Sequence, residues 1–215
     1  MQFVNPSLVH YRQKDGPVRA FSLIELLGVM TVILIFLAIT FGVSQGVLNH
    51  QARVQAKAEL AMIAQALEGF KLAYGDYPWI LEEDDPTVGN ANAEKLTLAL
   101  TGFAIFEPTG SSMSLENVTT GGARKCFIDT GKLNFSQDFG NPSNAGDLTN
   151  VFLVDPWGQP YVFVYNKYAS SWDNIGYVLF SKGPDGEADL GSIVDSGIID
   201  LKTPRNIDNI YLHRQ

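Results

Sequence analysis

The hydrophobic positions of this chain change their period twice. From Leu23 to Val43 the run LIELLGVMTVILIFLAITFGV is apolar on every side and carries one charge, Glu25. As a helix of 21 residues it covers roughly 32 Å, enough for a hydrocarbon core of about 30 Å. A secretory signal has a shorter apolar stretch, about 7 to 15 residues, with its cleavage site beyond it. The run is therefore predicted to span a membrane, and a cut near Ala38-Ile39-Thr40 is the alternative. From Gln51 to Tyr74 the pattern becomes periodic, with Leu60, Ile63, Leu67, Phe70 and Tyr74 at steps of three and four. That spacing predicts an amphipathic helix whose polar face carries Lys57, Glu59, Gln65, Glu68 and Lys71. Gly75, Asp76 and Pro78 are its stop signal. Joined, Phe21 to Tyr74 could form one helix; Gly42 and Gly46 at the junction weaken helix propensity by about 0.8–1.0 kcal/mol each, and a hinge is predicted there, with a GxxxG helix contact as the alternative.

Beyond the helix the period shortens. Residues 82–150 are rich in Gly, Ser, Asn and Thr, with apolar patches at Leu96–Leu100, Phe103–Phe106 and Cys126–Ile128. A short helix, loops and two short strands are predicted for them. Asp155-Pro156-Trp157-Gly158-Gln159-Pro160 is a turn cluster, and the aromatic and β-branched runs Tyr161–Tyr165 and Tyr177–Ser181 follow it. They predict an antiparallel hairpin laid on the helix. The fold class is therefore α+β.

Charge sharpens this division. The net charge is −8, yet residues 1–20 carry Arg12, Lys14 and Arg19 against Asp15, which leaves −10 for everything after Ala20. A basic flank before an apolar span is retained in the cytoplasm, which places the acidic C-terminal part outside. Nucleic-acid binding needs clustered Lys and Arg and is not expected. Cys126 is the one cysteine, so no intramolecular disulfide forms, and it is expected to pack as a small, at least half-buried hydrophobe. The three histidines, His10, His50 and His213, are scattered, and no HExxH, GxSxG, P-loop or CxxC pattern occurs. The run Glu82, Glu83, Asp84, Asp85 is expected to be a solvated loop, and no catalytic residue is expected.

An acid within a membrane run is costly and is functional by default, and the alternative is that Glu25, only two residues into the run, reaches the cytoplasmic headgroups. The surrounding sequence Arg19-Ala20-Phe21-Ser22-Leu23-Ile24-Glu25-Leu26-Leu27 resembles the cleavage and methylation signal of type IV prepilins and type II secretion pseudopilins. The resemblance implies a cut between Ala20 and Phe21 by a prepilin peptidase, with N-methylation of Phe21. It also makes Glu25 the family's assembly acid, whose carboxylate meets the α-ammonium of a neighbouring subunit. The usual residue before the cut is Gly, and Ala20 is the smallest departure from it. DPWGQPYVF and SKGPDG, followed by a Gly- and Asp-rich tail, look like the major pseudopilin. The likeness covers Phe21 to about Tyr77 and Asp155 to Leu212, while the stretch from Leu100 to Asp155 is longer than the usual pattern.

The implied layout is a leader at 1–20, a transmembrane helix at 21–45 and a pilin-like periplasmic domain at 46–215. The protein would be single-pass in a bacterial inner membrane, and its partners would be the prepilin peptidase, other subunits of the homopolymer and an inner-membrane assembly platform. Its function would be that of a structural subunit of a type II secretion pseudopilus. The alternatives are a type IV pilin or minor pilin for adhesion, motility or DNA uptake, and a membrane-anchored calcium-dependent binding module. Asp185, Glu187, Asp189, Asp195, Asp200 and Asp208 crowd the tail, and hard oxygen donors in a flexible loop favour Ca²⁺. In the resembled pseudopilins that loop holds Ca²⁺. Asp185 and Asp208 match its ligands and Asp189 is the third choice, with a solvated acidic loop as the alternative.

Overall fold

The computed structural model describes residues 21–79, 91–109, 112–166 and 170–212. The leader with Ala20, the acidic run at 82–85 and His213 lie outside the described residues. The chain is α+β: among the described residues three α-helices, of which the first is by far the longest, stand beside short antiparallel sheets. Helix α1 spans Leu23–Tyr74, 52 residues. The chain divides into two compact units, Met1–Gln45 and Gly46–Gln215.

In the first unit, Leu23–Thr40 is long and apolar enough to cross a membrane, and none of it is buried. Its threonines need no outside partner. Thr31 Oγ1 donates to the Gly28 carbonyl at 2.8 Å and Thr40 Oγ1 to the Phe36 carbonyl at 2.8 Å. A helix that bonds both its backbone and its hydroxyls internally is the structure a hydrocarbon environment tolerates.

In the second unit the predicted stripe is the core. Ala56, Leu60, Ile63, Leu67 and Phe70 are wholly buried, and each large side chain so removed from water contributes about 1.5–3 kcal/mol. Tyr77, Leu96, Leu100, Tyr161, Phe163, Leu179 and Ile210 belong to the same cluster as Leu60, Ile63 and Leu67. Phe70 packs edge-on against Phe106 and Phe127 at ring distances of 5.4 and 5.5 Å. The helix stops at Gly75, whose φ of +90° is one that side-chain-bearing residues avoid.

Helix α2 (Ala91–Thr101) and strands β1 (Ala104–Thr109) and β2 (Ser112–Asn117) lie in the Gly-, Ser-, Asn- and Thr-rich stretch after α1. Gly102 ends α2 at φ +85°, and a Cβ there would lie 2.8 Å from the Lys125 carbonyl oxygen. Strand β3 (Asn134–Phe135) pairs with β4 (Leu153–Val154). The predicted hairpin is β5 (Val162–Val164) with β6 (Val178–Ser181), joined by a strand that was not predicted, β7 (Ile210–Tyr211), in the order β5-β6-β7. Helix α3 (Gly191–Ser196) lies between β6 and β7 in the chain. Cys126 corrects the expectation of burial. It is exposed, with its thiol donating to the Ile128 carbonyl at 3.0 Å, because the adjacent Phe127 takes the inward position against Phe70 and Tyr74.

The two faces of α1 give a direct test. Leu67 is wholly buried and Leu72 is 88% exposed. Unfolding of the full chain in detergent micelles should show Leu67→Ala losing about 2–5 kcal/mol and Leu72→Ala staying within about 0.5 kcal/mol of wild type. Equal losses would mean that the stripe is misassigned.

Candidate functional site

The start of α1 holds the first candidate site. Phe21 is 80% exposed. The Ser22 carbonyl accepts from the Glu25 and Leu26 amides at 3.0 and 3.2 Å, and so opens the helix. Glu25 lies in the first turn, and its Oε2 stands 3.5 Å from the Ser22 N–H. Ser-x-x-Glu is the capping-box spacing, in which the acid reaches back to the cap's own amide. At 3.5 Å the bond is at the limit of a hydrogen bond. The carboxylate also faces the positive end of the helix dipole. Glu25 thus turns back along the first turn of α1 toward the Ser22 amide.

The second site is a pair of buried acids that sequence reasoning missed. Glu59 was placed on the polar face of α1, and the structure corrects this. Only 3% of it is exposed. It accepts from the Tyr161 hydroxyl at 2.5 Å and from Gln55 Nε2 at 2.8 Å. The reason lies in its spacing. Ala56, Glu59, Ile63 and Ala66 share one face at steps of three and four, and the small alanines admit the tyrosine of the neighbouring segment. Burial, and then the hydrogen bond and charge of Glu59, push the Tyr161 hydroxyl far above the ordinary tyrosine range.

Asp155 is the other buried acid, 1% exposed. Its Oδ1 accepts from the amides of Trp157 and Gln159 at 3.0 and 2.9 Å. Its Oδ2 accepts from Ser181 Oγ at 2.6 Å, and that hydroxyl oxygen accepts from the Gly183 amide at 3.0 Å. One carboxylate therefore ties the turn before β5 to the end of β6 and to the next turn. Proline at 156 and glycine at 158, with φ +82°, shape the backbone that delivers these amides. The DPWG cluster is the legible signal, although neither as a turn nor as part of the likeness does it show that its acid is buried.

The acidic tail was expected to gather Asp185, Asp189 and Asp208. Asp185 is exposed, and its Oδ1 accepts from the Glu187 amide at 2.9 Å. Asp189 is exposed, and its Oδ1 accepts from the Gly191 amide at 3.2 Å. Both thus form local Asx turns. Asp208 is half-buried against Gly183, where a Cβ would stand 2.6 Å from the Asp208 carbonyl oxygen and 3.1 Å from its Oδ2. The structure thus brings Asp208 to the turn that contains Asp185. Among the described residues, however, no three Asp, Glu, His or Cys side chains gather as a metal site.

A further group of tyrosines borders the core. Tyr77 donates to Glu68 at 2.7 Å and lies under the Lys71 ammonium at 4.3 Å. Burial, then the hydrogen bond and charge of Glu68, push its hydroxyl up to about 12. Burial, then the charge of Glu68, raises Tyr177 as well. In the unfolded chain tyrosines ionise near pH 10. Stability from these groups is therefore complete below about pH 10 and is lost as pH rises from there toward 12. Alkaline titration should show tyrosinate absorbance appearing together with unfolding, and an ordinary titration near pH 10 in a folded protein would contradict the arrangement. Tyr161→Phe, which removes a bond to a charged group, should cost about 1.5–3 kcal/mol at neutral pH.

No protein-family model matches the chain, and neither a curated protein nor a solved structure matches it.

Proposed function

We propose that the chain is a prepilin-like filament subunit, closest in kind to the major pseudopilin of type II secretion, which polymerises from the inner membrane to help export folded proteins. The observation that carries this reading is the start of α1. A fully exposed apolar helix follows Phe21 directly, and its one acid, Glu25, sits in the first turn. The leader carries the basic residues and stays in the cytoplasm, while the acidic unit from Gly46 stands in the periplasm.

Cleavage before Phe21 by the prepilin peptidase removes that basic leader and creates an α-ammonium at the membrane face. In lipid, an unpaired carboxylate is unfavourable and seeks a cation. The Glu25 carboxylate of a subunit entering the filament finds one in the amine of its neighbour, which fixes axial register. The chemistry asked of the chain is therefore association, and no catalytic residue is assigned.

Intact mass spectrometry of the membrane-extracted protein should give a chain that begins at Phe21 and is heavier by one methyl group. A chain that begins at Met1 would favour a membrane anchor that does not polymerise, and a cut after Thr40 a secreted domain. Glu25→Val should be cleaved and inserted normally but enter filaments poorly beside wild type. Full incorporation of Glu25→Val would leave Glu25 as a helix cap and nothing more.

A further inference from the structure

We propose that a cleft between α1 and β7 receives a carboxylate side chain from a second copy of this chain. Arg53 and Lys57, one helical turn apart on α1, line one side of it, and Ile207, Ile210 and Leu212 line the other. Its volume is about 290 Å³, ample for an acidic side chain and the backbone that carries it.

Neither cation in this cleft is neutralised. Lys57 is exposed and Arg53 is half-buried, and neither makes an ion pair with any described residue. Arg53 Nη1 stands 3.5 Å from the Asp208 carbonyl oxygen, beyond the usual length of such a bond. The guanidinium therefore keeps its capacity for a carboxylate, which it can grip through two parallel N–H groups. Like charges four residues apart on a helix repel each other, so this pair is better placed with an anion between its members than without one. Two exposed cations elsewhere are already matched. Lys132 meets Asp129 at 3.0 Å, and Arg205 meets Glu187 at 3.3 Å.

The occupant follows from the charge of the chain and from the apolar side of the cleft. Everything after Ala20 carries −10, so copies of this chain repel one another at long range and associate best where opposite charges meet at short range. A cleft with two free cations is such a place, and exposed acids such as Asp185 and Asp189 are what a second copy offers. Ile207, which is 64% exposed, gives apolar contact to the carbon stem of an acidic side chain. A bare inorganic anion has no such stem. The contact joins two different surfaces, and head-to-tail contacts of that kind repeat from copy to copy into open filaments. The inference rests on the filament reading and adds to it a contact outside the apolar half of α1.

Membranes holding an equal mixture of unlabelled and isotope-labelled full chains, inspected for filaments and treated with a water-soluble carbodiimide, test this. The reagent joins an amine to a carboxylate only where the two touch. Mass spectrometry should find Lys57 joined to an Asp or Glu in peptides that pair a labelled with an unlabelled chain. Lys57→Arg should assemble as wild type does and lose the link. Lys57→Glu, a change at an exposed position, should enter filaments beside wild type roughly tenfold less than Lys57→Arg. Filaments that lack the mixed link at Lys57, or that take up Lys57→Glu and Lys57→Arg equally, would overturn the cleft contact and leave the filament reading standing. Membranes with neither filaments nor the mixed link would overturn both.

Discussion

Everything in this molecule depends on one helix meeting two different demands on its side chains. Up to Thr40, α1 offers apolar groups on all sides and nothing covers them. From Ala56 to Phe70 it offers one apolar stripe, and that stripe is the floor of the folded unit. In water the first part would expose a large continuous apolar surface, which soluble proteins avoid. The second part would be only a marginal helix without the strands and aromatic rings that pack on it. The same element therefore needs an apolar cover for one half and tertiary packing for the other.

The polar residues inside the folded unit follow a common rule. Glu59, Asp155 and Asn206 are all buried, and each is bonded by groups distant in the chain or from the next turn. Buried groups satisfied in this way fix a single arrangement, because each alternative leaves one of them unpaired in low dielectric. Glu59 sets how Tyr161 meets the helix. Asp155 sets the spacing between two turns, and Asn206 bonds the Asp189 amide and the Asp200 carbonyl within the tail. With one exposed cysteine and no possible disulfide, side-chain hydrogen bonds are the long-range staples left to the chain.

The period of the apolar residues made α1 legible from end to end, with its stop at Gly75, and the alternation after the DPWG turn made β5 and β6 legible. Strand β7 was not, because two residues give no period and its pairing partner is about thirty residues away. Glu59 was placed on the wrong face because residue type outweighed position: an acid in a helix with Lys57, Gln65 and Glu68 reads as solvent-facing until a tyrosine hydroxyl from another segment is seen to meet it. Cys126 was misread because its neighbour Phe127 occupies the inward position. The asparagines of the tail read as ordinary loop residues, and the aspartates beside them drew attention by their charge. Which of them faces inward is decided by the return of the chain to β6, and no local pattern records that.

A filament subunit of the kind proposed requires that the uncovered half of α1 be covered by copies of itself. Electron cryo-microscopy of filaments assembled from the full chain tests this most directly. The expected map has Leu23–Thr40 of successive copies packed together in the filament interior, with each Glu25 carboxylate within salt-bridge reach of the Phe21 amine of an adjacent copy. A filament whose apolar helices lie on its outside, or a membrane fraction that holds the chain only as separate monomers with Glu25 at the lipid surface, would contradict it.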